Sequence, residues 1–170
     1  MIREGRKIDP GILLILAFFI VLLPILFKPW VHGADTIGYY GWLRSAVIDG
    51  DLQTADEFAH YGMAWLNTFA ETGLRDSPGA VGSALLWSPW FLLVHAATLA
   101  GQALGLPLIA DGYSQQYVWA ASLASSLYAL IGLWLTYLVA QDLVARKLAL
   151  LAVIVAWLAS PLLFTCTAIR

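Results

Sequence analysis

The sequence has little charge, and it lacks the polar surface that a soluble domain needs. Charged residues are 12% of the 170 and hydrophobic residues are 61%, whereas a soluble domain has about 25% charged residues. We therefore predict an integral membrane protein, with lipid as part of its solvent. The net charge is −2 and the sequence has no basic stripe, so we expect no nucleic-acid partner. A single cysteine, Cys166, excludes an internal disulfide.

Four apolar stretches form the framework of the chain: residues 11–27, 80–104, 117–140 and 148–165. At a rise of about 1.5 Å per residue, roughly 20 helical residues cross a hydrocarbon core about 30 Å thick. Each stretch is therefore long enough, or nearly long enough, to span a membrane. Residues 1–10 contain three basic side chains, and cytoplasmic segments beside a span are rich in Lys and Arg. We predict that residues 1–10 are cytoplasmic.

A cleaved signal peptide is the alternative interpretation of residues 11–27. This run is longer than the apolar region of a usual signal peptide. Lys28, Pro29 and Trp30 follow it, where a signal peptide would have a small-residue cleavage site. The sequence favours a membrane anchor that is retained.

Arg146 and Lys147 help to decide how many times the chain crosses the membrane. If all four stretches spanned, Arg146 and Lys147 would lie outside, against the positive-inside rule. Pro89 interrupts the second stretch and removes a helical hydrogen bond. We therefore favour three spans plus a re-entrant or interfacial pair of short helices over residues 80–104. Four plain spans are the alternative.

The region between the first two stretches, residues 28–79, contains seven acidic and three basic residues. Apolar side chains recur at helical spacing over residues 36–48, and Gly50 stands where a C-cap glycine would. A second such pattern covers residues 53–71 and ends before Gly73. Helices with an aromatic face and an acidic face beside a membrane lie in its interface. The predicted fold class is therefore all-α integral membrane, with transmembrane helices and interfacial amphipathic helices in a long first outer loop.

Asp35 is the main candidate for chemistry, because it follows the first stretch by a few residues. A carboxylate just above the lipid headgroups can accept a proton from an acceptor hydroxyl that attacks a lipid-borne donor. The alternative is a structural role, because Asp is a good N-cap and a helix is predicted from Thr36. The two roles are compatible, since a capping side chain is rigidly aimed.

The order of motifs along the chain resembles a known family. A basic start and one span precede Gly-Ala-Asp-Thr-Ile-Gly-Tyr-Tyr at residues 33–40 and Leu-Arg-Ser-Ala-Val-Ile-Asp-Gly-Asp-Leu at residues 43–52. Leu-Trp-Ser-Pro at residues 86–89, a long span, the basic segment 145–152 and Ala-Ser-Pro at 159–161 follow. This order resembles the N-terminal part of the GT-C superfamily of membrane glycosyltransferases. The superfamily includes the protein O-mannosyltransferases and the aminoarabinose transferases of lipid A.

The resemblance implies an inverting glycosyltransferase of the bacterial inner membrane that works at the outer, periplasmic face. The implied partners are a polyprenyl-phosphate sugar donor and membrane lipid. The resemblance covers the first part of a family member, so further helices of a longer enzyme are expected and this chain alone would be inactive.

The resemblance also implies roles for particular residues. Asp35 falls at an acidic position essential in the family and is the predicted catalytic residue. The family usually has Glu after this Asp, and Thr36 takes that place here. The predicted substrate-binding residues are Tyr39, Tyr40, Arg44 and Asp76, of which Asp76 has the alternative role of a turn residue before Pro78.

Arg44 follows Asp35 within the same predicted helix and is expected to approach it or a donor phosphate. The alternative is an interfacial arginine that snorkels to water. Glu57 and His60 form an E-x-x-H pattern, but without a second set of ligands such a pair is usually a surface feature. We predict no metal and no cofactor.

Asp49 and Asp51 flank Gly50 and indicate a turn, although a D-x-D pair can bind a metal-sugar phosphate in distant relatives. Among the tryptophans, Trp30 can stack on a sugar or belong to an interfacial aromatic belt.

A transporter component and a non-catalytic assembly protein are the alternatives from other classes. A carrier needs an ionisable residue or a broken helix at mid-membrane, and Pro89 with His95 comes nearest to this. No acid lies inside residues 11–27, 117–140 or 148–165, where a proton-coupled carrier would place one. His95 is otherwise expected to hydrogen-bond a carbonyl that Pro89 frees.

Overall fold

The computed structural model describes residues 9–27, 29–66, 69, 71–73 and 79–159. In this part of the chain the prediction of an all-α fold is confirmed, because the elements are helices. They are α1 (Pro10–Leu26), α2 (Ala34–Arg44), α3 (Ala55–His60), α4 (Val81–Ala103), α5 (Gln115–Leu143) and α6 (Arg146–Ala159). A π-helical turn (Ser45–Asp49) extends α2, and a 3-10 turn covers Ala64–Leu66.

Two of the described helices, α4 and α5, are long and apolar enough to cross a membrane. Both expose large apolar side chains, among them Leu93 at 66% and Val139 at 63% exposure. Helix α1 covers the first predicted stretch with 17 residues and keeps Pro24 inside the helix. The fourth predicted stretch, residues 148–165, is helical as far as Ala159, where the described residues end.

The described residues form two compact units. The first unit comprises those within Met1–Phe27 and Ser126–Thr167, and the second comprises those within Lys28–Ser125. Helix α5 begins in the second unit and ends in the first.

In the first unit, α1 packs against α6 and the C-terminal half of α5. The Trp157 ring stacks on Phe19 with centroids 5.3 Å apart and meets Phe18 edge-on at 5.6 Å. Both are favourable arrangements of aromatic quadrupoles. The buried core of this unit is Ile15, Phe19, Leu133, Tyr137, Ala149, Val153 and Trp157.

Polar contacts of the first unit gather where α1 begins. Asp9 caps α1 by accepting a hydrogen bond from the backbone N–H of Gly11 at 2.7 Å. The same carboxylate pairs with the guanidinium of Arg146, the first residue of α6. The Tyr137 hydroxyl of α5 donates to Asp9 at 3.3 Å. The starts of α1 and α6 therefore share one end of this unit, with α1 antiparallel to α5 and parallel to α6.

In the second unit, α2 packs closely on α4 and on Gly79, two residues before α4 begins. A Cβ atom at Gly79 would lie 2.5 Å from the backbone carbon of Gly38, so this approach requires glycine. The Trp42 indole N–H donates to the Gly79 carbonyl at 2.7 Å. Tyr40 meets the ring of Phe91 edge-on, with centroids 6.0 Å apart. These contacts bury α2 on more than one face.

Helix α4 is continuous over 23 residues with Pro89 inside it, so the predicted break into two short helices is wrong. Pro89 has no N–H for the carbonyl of Leu85, and the Ser88 hydroxyl donates to that carbonyl instead at 2.8 Å. His95, from which we expected such a bond, contacts the Tyr117 hydroxyl through Nδ1 at 2.9 Å. The number of membrane crossings stays a prediction.

The prediction of a helix over residues 36–48 is confirmed. Helix α2 and the π-helical turn cover it, and Gly50 follows as a left-handed C-cap at φ 73°.

The predicted long helix over residues 53–71 is wrong. Helix α3 ends at His60, and Gly62 follows in the left-handed region at φ 75°, which terminates helices. Phe58 is fully buried, whereas Trp65 is 77% exposed, so the expected common aromatic face does not form.

Candidate functional site

Asp35 lies in the first turn of α2, a few residues after α1 ends. The helix begins at Ala34, and Gly33 occupies the cap position at φ 86° with no side-chain cap bond. The interpretation of Asp35 as the cap of a helix from Thr36 is therefore wrong. Its side chain is exposed, and it makes no hydrogen bond or ion pair with the part of the chain that the structure describes.

Asp35 lines an open recess of about 420 Å³. Trp30 is 54% exposed there, and its ring lies 6.1 Å from that of His32. The recess thus combines a free carboxylate, an imidazole and an indole face, a set able to accept a proton and to stack on a ring. It is lined by Trp30, His32, Gly33, Ala34 and Asp35.

The two predicted tyrosines do not line this recess. Tyr40 is fully buried, and its hydroxyl donates to the carbonyl of Gly112 at 2.6 Å. Burial raises the pKa of Tyr40 well above its usual value. Tyr39 is half-buried. Tyr40 is thus a core residue of the second unit, and its role in substrate binding stays a prediction.

Arg44 ends α2, nine residues after Asp35 or about 13 Å along the helix axis. It does not approach Asp35, and the guanidinium does not snorkel, since the residue is only 7% exposed. The expected approach to Asp35 and the snorkelling alternative are therefore wrong, whereas a contact between Arg44 and a donor phosphate stays a prediction. Nη1 instead lies 2.5 Å from Asp49 Oδ2, 3.0 Å from Asp56 Oδ2 and 2.9 Å from Glu57 Oε1. We call these four residues the Arg44 cluster.

Aromatic rings cover the Arg44 cluster. The guanidinium carbon lies 3.8 Å from the centroid of the Tyr113 ring, a cation–π contact. The His60 imidazole stacks on the same ring, with centroids 3.7 Å apart and planes 8° from parallel. Arg44 Nε also donates to the carbonyl of Asp111 at 3.0 Å. The cluster thereby ties the end of α2 to α3 and to the segment before α5.

The charges of the cluster shift one another's protonation. Burial and the adjacent Asp56 carboxyl together raise the pKa of Glu57 to about 8, against the hydrogen bond from Arg44, which lowers it. Burial lowers the pKa of Arg44, but the hydrogen bond to Glu57 and the charge of Asp49 outweigh this, so the net shift is upward. Burial also raises the pKa of Tyr61 to about 12.

The two residues of the D-x-D pair, Asp49 and Asp51, have different partners in the structure. Asp49 belongs to the cluster, whereas Asp51 accepts hydrogen bonds from the Ser45 hydroxyl at 2.6 Å and the Gln53 backbone at 2.9 Å, as a turn residue does. The Ser45 bond lowers the pKa of Asp51. Glu57 is not a surface residue, since it is fully buried against Arg44.

Among the described residues, the acidic groups close enough together to hold a metal ion are Asp49, Asp56 and Glu57, and His60 of the E-x-x-H pattern is not one of them. No sequence pattern signalled this group, because Asp49 ends the π-helical turn whereas Asp56 and Glu57 lie in α3, beyond the bend that follows the turn.

Asp76, the remaining predicted substrate-binding residue, lies outside the described residues.

Comparison with known proteins leaves the family open. No protein-family model, no curated protein and no solved structure matches this chain. The resemblance to GT-C glycosyltransferases therefore stays a prediction based on the order of its motifs.

Proposed function

We propose that the chain is a multi-pass membrane protein that crosses the bilayer with α1, α5 and α6. The exposed apolar side chains of α5 and its 29-residue length support this. The Asp9–Arg146 ion pair also supports it, because it brings the starts of α1 and α6 to one end of the first unit. Because α1 and α5 are antiparallel and both cross in this proposal, the residues between them begin and end on the same side of the membrane. Helix α4 therefore does not make a lone crossing.

Cysteine labelling from each side of the membrane tests this topology in a Cys166→Ala background. Suitable positions are well exposed: Trp65 at 77%, Leu104 at 82% and Leu143 at 78%. We expect cysteines at Trp65 and Leu104 to react with an impermeant reagent from outside, and one at Leu143 only from the cytoplasm. Reaction of Leu104→Cys only from the cytoplasm and of Leu143→Cys from outside would show four crossings and contradict the proposal.

We further propose that the chain is the N-terminal part of an inverting glycosyltransferase that uses a polyprenyl-phosphate sugar. The observation that carries this is the exposed Asp35 carboxylate, unpaired among the described residues, which lines an open recess at the start of α2. An acceptor oxygen attacks the anomeric carbon and forms the new C–O bond, while the bond from that carbon to the phosphate oxygen breaks. Asp35 takes the hydroxyl proton, and the polyprenyl phosphate leaves with the electron pair.

In this proposal Asp35 has a catalytic role and Arg44 has a structural one. Asp35 is unpaired among the described residues and open to solvent, as a base for an incoming hydroxyl must be. Arg44 is already paired with three carboxylates, so it acts by holding the end of α2 in place. The proposal therefore rests on Asp35 alone.

The test uses the natural full-length protein in cells from which its gene has been removed. We expect Asp35→Asn to leave polyprenyl-phosphate sugars accumulated to the level of the deletion, as measured by mass spectrometry of membrane lipids. Loss of a general base typically costs about 10²–10⁴-fold in rate. Glu71→Gln, an exposed acid of the same region, is the control and should restore wild-type lipid levels. Wild-type lipid levels with Asp35→Asn at normal protein abundance would refute the role of Asp35.

A further inference from the structure

The Arg44 cluster has more acidic groups than its one guanidinium can balance. Three carboxyl groups contact Arg44 Nη1, and a guanidinium carries a single positive charge. The side chains of Asp49 and Asp56 reach solvent, with 29% and 54% exposure, whereas that of Glu57 is 0% exposed. Burial disfavours the charged form of a carboxyl group, because water no longer solvates it. Glu57 is therefore the acid of the cluster for which ionisation is least favourable.

The carboxyl group of Asp56 lies beside that of Glu57. The two groups are within hydrogen-bonding range of each other, and both also contact Arg44 Nη1. Two ionised carboxylates cannot hydrogen-bond to each other, because neither has a donor, whereas a protonated carboxyl group donates one O–H bond. A proton on Glu57 therefore turns a repulsive contact into a hydrogen bond. The more exposed Asp56 then stays ionised beside Arg44.

We propose that Glu57 holds a proton in the folded protein, donates it in a hydrogen bond to Asp56, and so forms a pH-sensitive link between α3 and the end of α2. Both acids lie in the first turn of α3, and Arg44 is the last residue of α2. Loss of the proton at alkaline pH adds a buried negative charge next to Asp56. The guanidinium cannot balance this charge, because it is already shared among three carboxyl groups. The contact between α3 and α2 then weakens.

The other titratable groups around the cluster come from each element that packs there. They are Asp49 on the π-helical turn, His60 and Tyr61 at the end of α3, and Asp111 and Tyr113 before α5. Burial raises the pKa of both tyrosines, that of Tyr61 to about 12, so they are neutral where Glu57 titrates. Burial also raises the pKa of Asp111, but hydrogen bonds from Ser114 outweigh it, so the net shift is downward. Histidines titrate near neutral pH, so a variant of His60 is needed to separate its contribution.

The pKa shifts of the two acids are opposite in direction, as expected if Glu57 is the donor. Burial and Asp56 raise the pKa of Glu57 from 4.5 to about 8. Burial raises the pKa of Asp56 as well, but its hydrogen bond with Glu57 and the charge of Arg44 outweigh this, so the net shift is downward. Because the folded state binds the Glu57 proton more tightly, the stability that this proton contributes is fully present below about pH 4.5 and is lost as the pH rises to about 8.

Infrared spectroscopy of the full chain in detergent tests for the proton directly. A protonated carboxyl group has a C=O stretching band that is separate from the bands of an ionised carboxylate. We expect this band at about pH 7, where acids of ordinary pKa are ionised, and its loss as the pH rises past about 8. Glu57→Gln should remove the band and still fold, because the amide keeps an N–H donor for Asp56 and an oxygen for Arg44.

Glu71→Gln, an exposed acid of the same region, is the matched control and should keep the band. The unmodified chain provides a result that depends on no variant, because a folded protein without this band at neutral pH would overturn the proposal. Persistence of the band in Glu57→Gln would overturn it as well. Neither measurement depends on transferase activity or on Asp35, so failure here leaves the proposed function unaffected.

Hydrogen exchange tests whether the proton links α3 to α2. We expect the protection factors of α3, corrected for intrinsic exchange, to fall at least about tenfold between about pH 6 and about pH 9. Those of α5 provide the internal reference and should change less. The fall should be absent in Glu57→Gln and present in His60→Gln. An equal fall in the wild type and in Glu57→Gln, or its absence in His60→Gln alone, would show that Glu57 is not the sensitive group.

Discussion

The interactions that stabilise the interior of the first unit differ from those inside the second unit. The first unit has an apolar and aromatic core, and its ion pair, Asp9–Arg146, lies at one end with the Arg146 side chain 50% exposed. The second unit buries polar and charged groups, including Arg44 at 7% and Glu57 at 0% exposure. Long helices with large apolar contacts need few specific polar bonds. Short elements such as α3, with six residues, need a fixed partner to stay folded.

The largest expected effect comes from removing the charge at the centre of the second unit. Arg44→Met keeps the stem of the side chain but removes the guanidinium that three carboxyl groups share, one of which, that of Glu57, is fully buried. We expect a loss of about 3–5 kcal/mol in the free energy of unfolding, measured by denaturant titration in detergent. Hydrogen exchange should show the loss first in α3, which the cluster anchors.

The matched change in the first unit is Arg146→Met. Its ion pair with Asp9 is exposed, and such pairs contribute little because water screens them. We expect a free energy of unfolding within experimental error of the wild type. An equal loss in both variants would show that the two ion pairs do not differ as their burial indicates.

We expect a smaller loss of stability from a substitution at the close contact between Gly79 and α2 in the second unit. Gly79→Ala places a Cβ atom 2.5 Å from the Gly38 carbon and 2.7 Å from the Tyr39 nitrogen, and backbone atoms cannot move aside cheaply. We expect a loss of about 1–3 kcal/mol in the free energy of unfolding, as for other overpacked contacts.

Gly82→Ala is the control for this contact, because a Cβ atom there meets nothing within 4 Å. Gly82 lies inside α4, where alanine is favoured over glycine by about 0.5–1 kcal/mol. The control should therefore be neutral or slightly more stable. A destabilised Gly82→Ala would indicate that α4 tolerates no alanine near its start, and the result at Gly79 would lose its meaning.

Part of the fold was predictable because the signals are local. Apolar runs fixed α1 and α5 to within a few residues, and Gly50 marked the end of the helical region after α2. The continuity of α4 was also accessible, since Ser88 directly precedes Pro89 and its hydroxyl reaches the carbonyl three residues back. The apolar periodicity beyond His60 predicted a helix that does not form, because Gly62 adopts a left-handed conformation and ends the helix despite the weak apolar pattern after it.

Part of the candidate site was likewise predictable from local sequence, and part depends on contacts between residues distant in sequence. Asp35 could be singled out from its place after an apolar run, and the structure leaves it exposed on an open recess. Tyr40 was predicted as a site residue from the resemblance and Arg44 from its place in the helix after Asp35, and the burial of both depends on neighbours distant in sequence. Gly112, the hydrogen-bond partner of Tyr40, is 72 residues away.

The sequence by itself determined that this chain is rich in apolar helices, because the hydrophobic pattern and the helix-ending glycines act over a few residues. The tertiary structure alone decided the partners of Arg44, since the three acids lie 5, 12 and 13 residues away across a π-helical turn and a bend. It also decided that α1 and α6 start at the same end of the first unit, through a contact between residues 137 positions apart. Such contacts depend on how the chain folds back on itself, which no local pattern encodes.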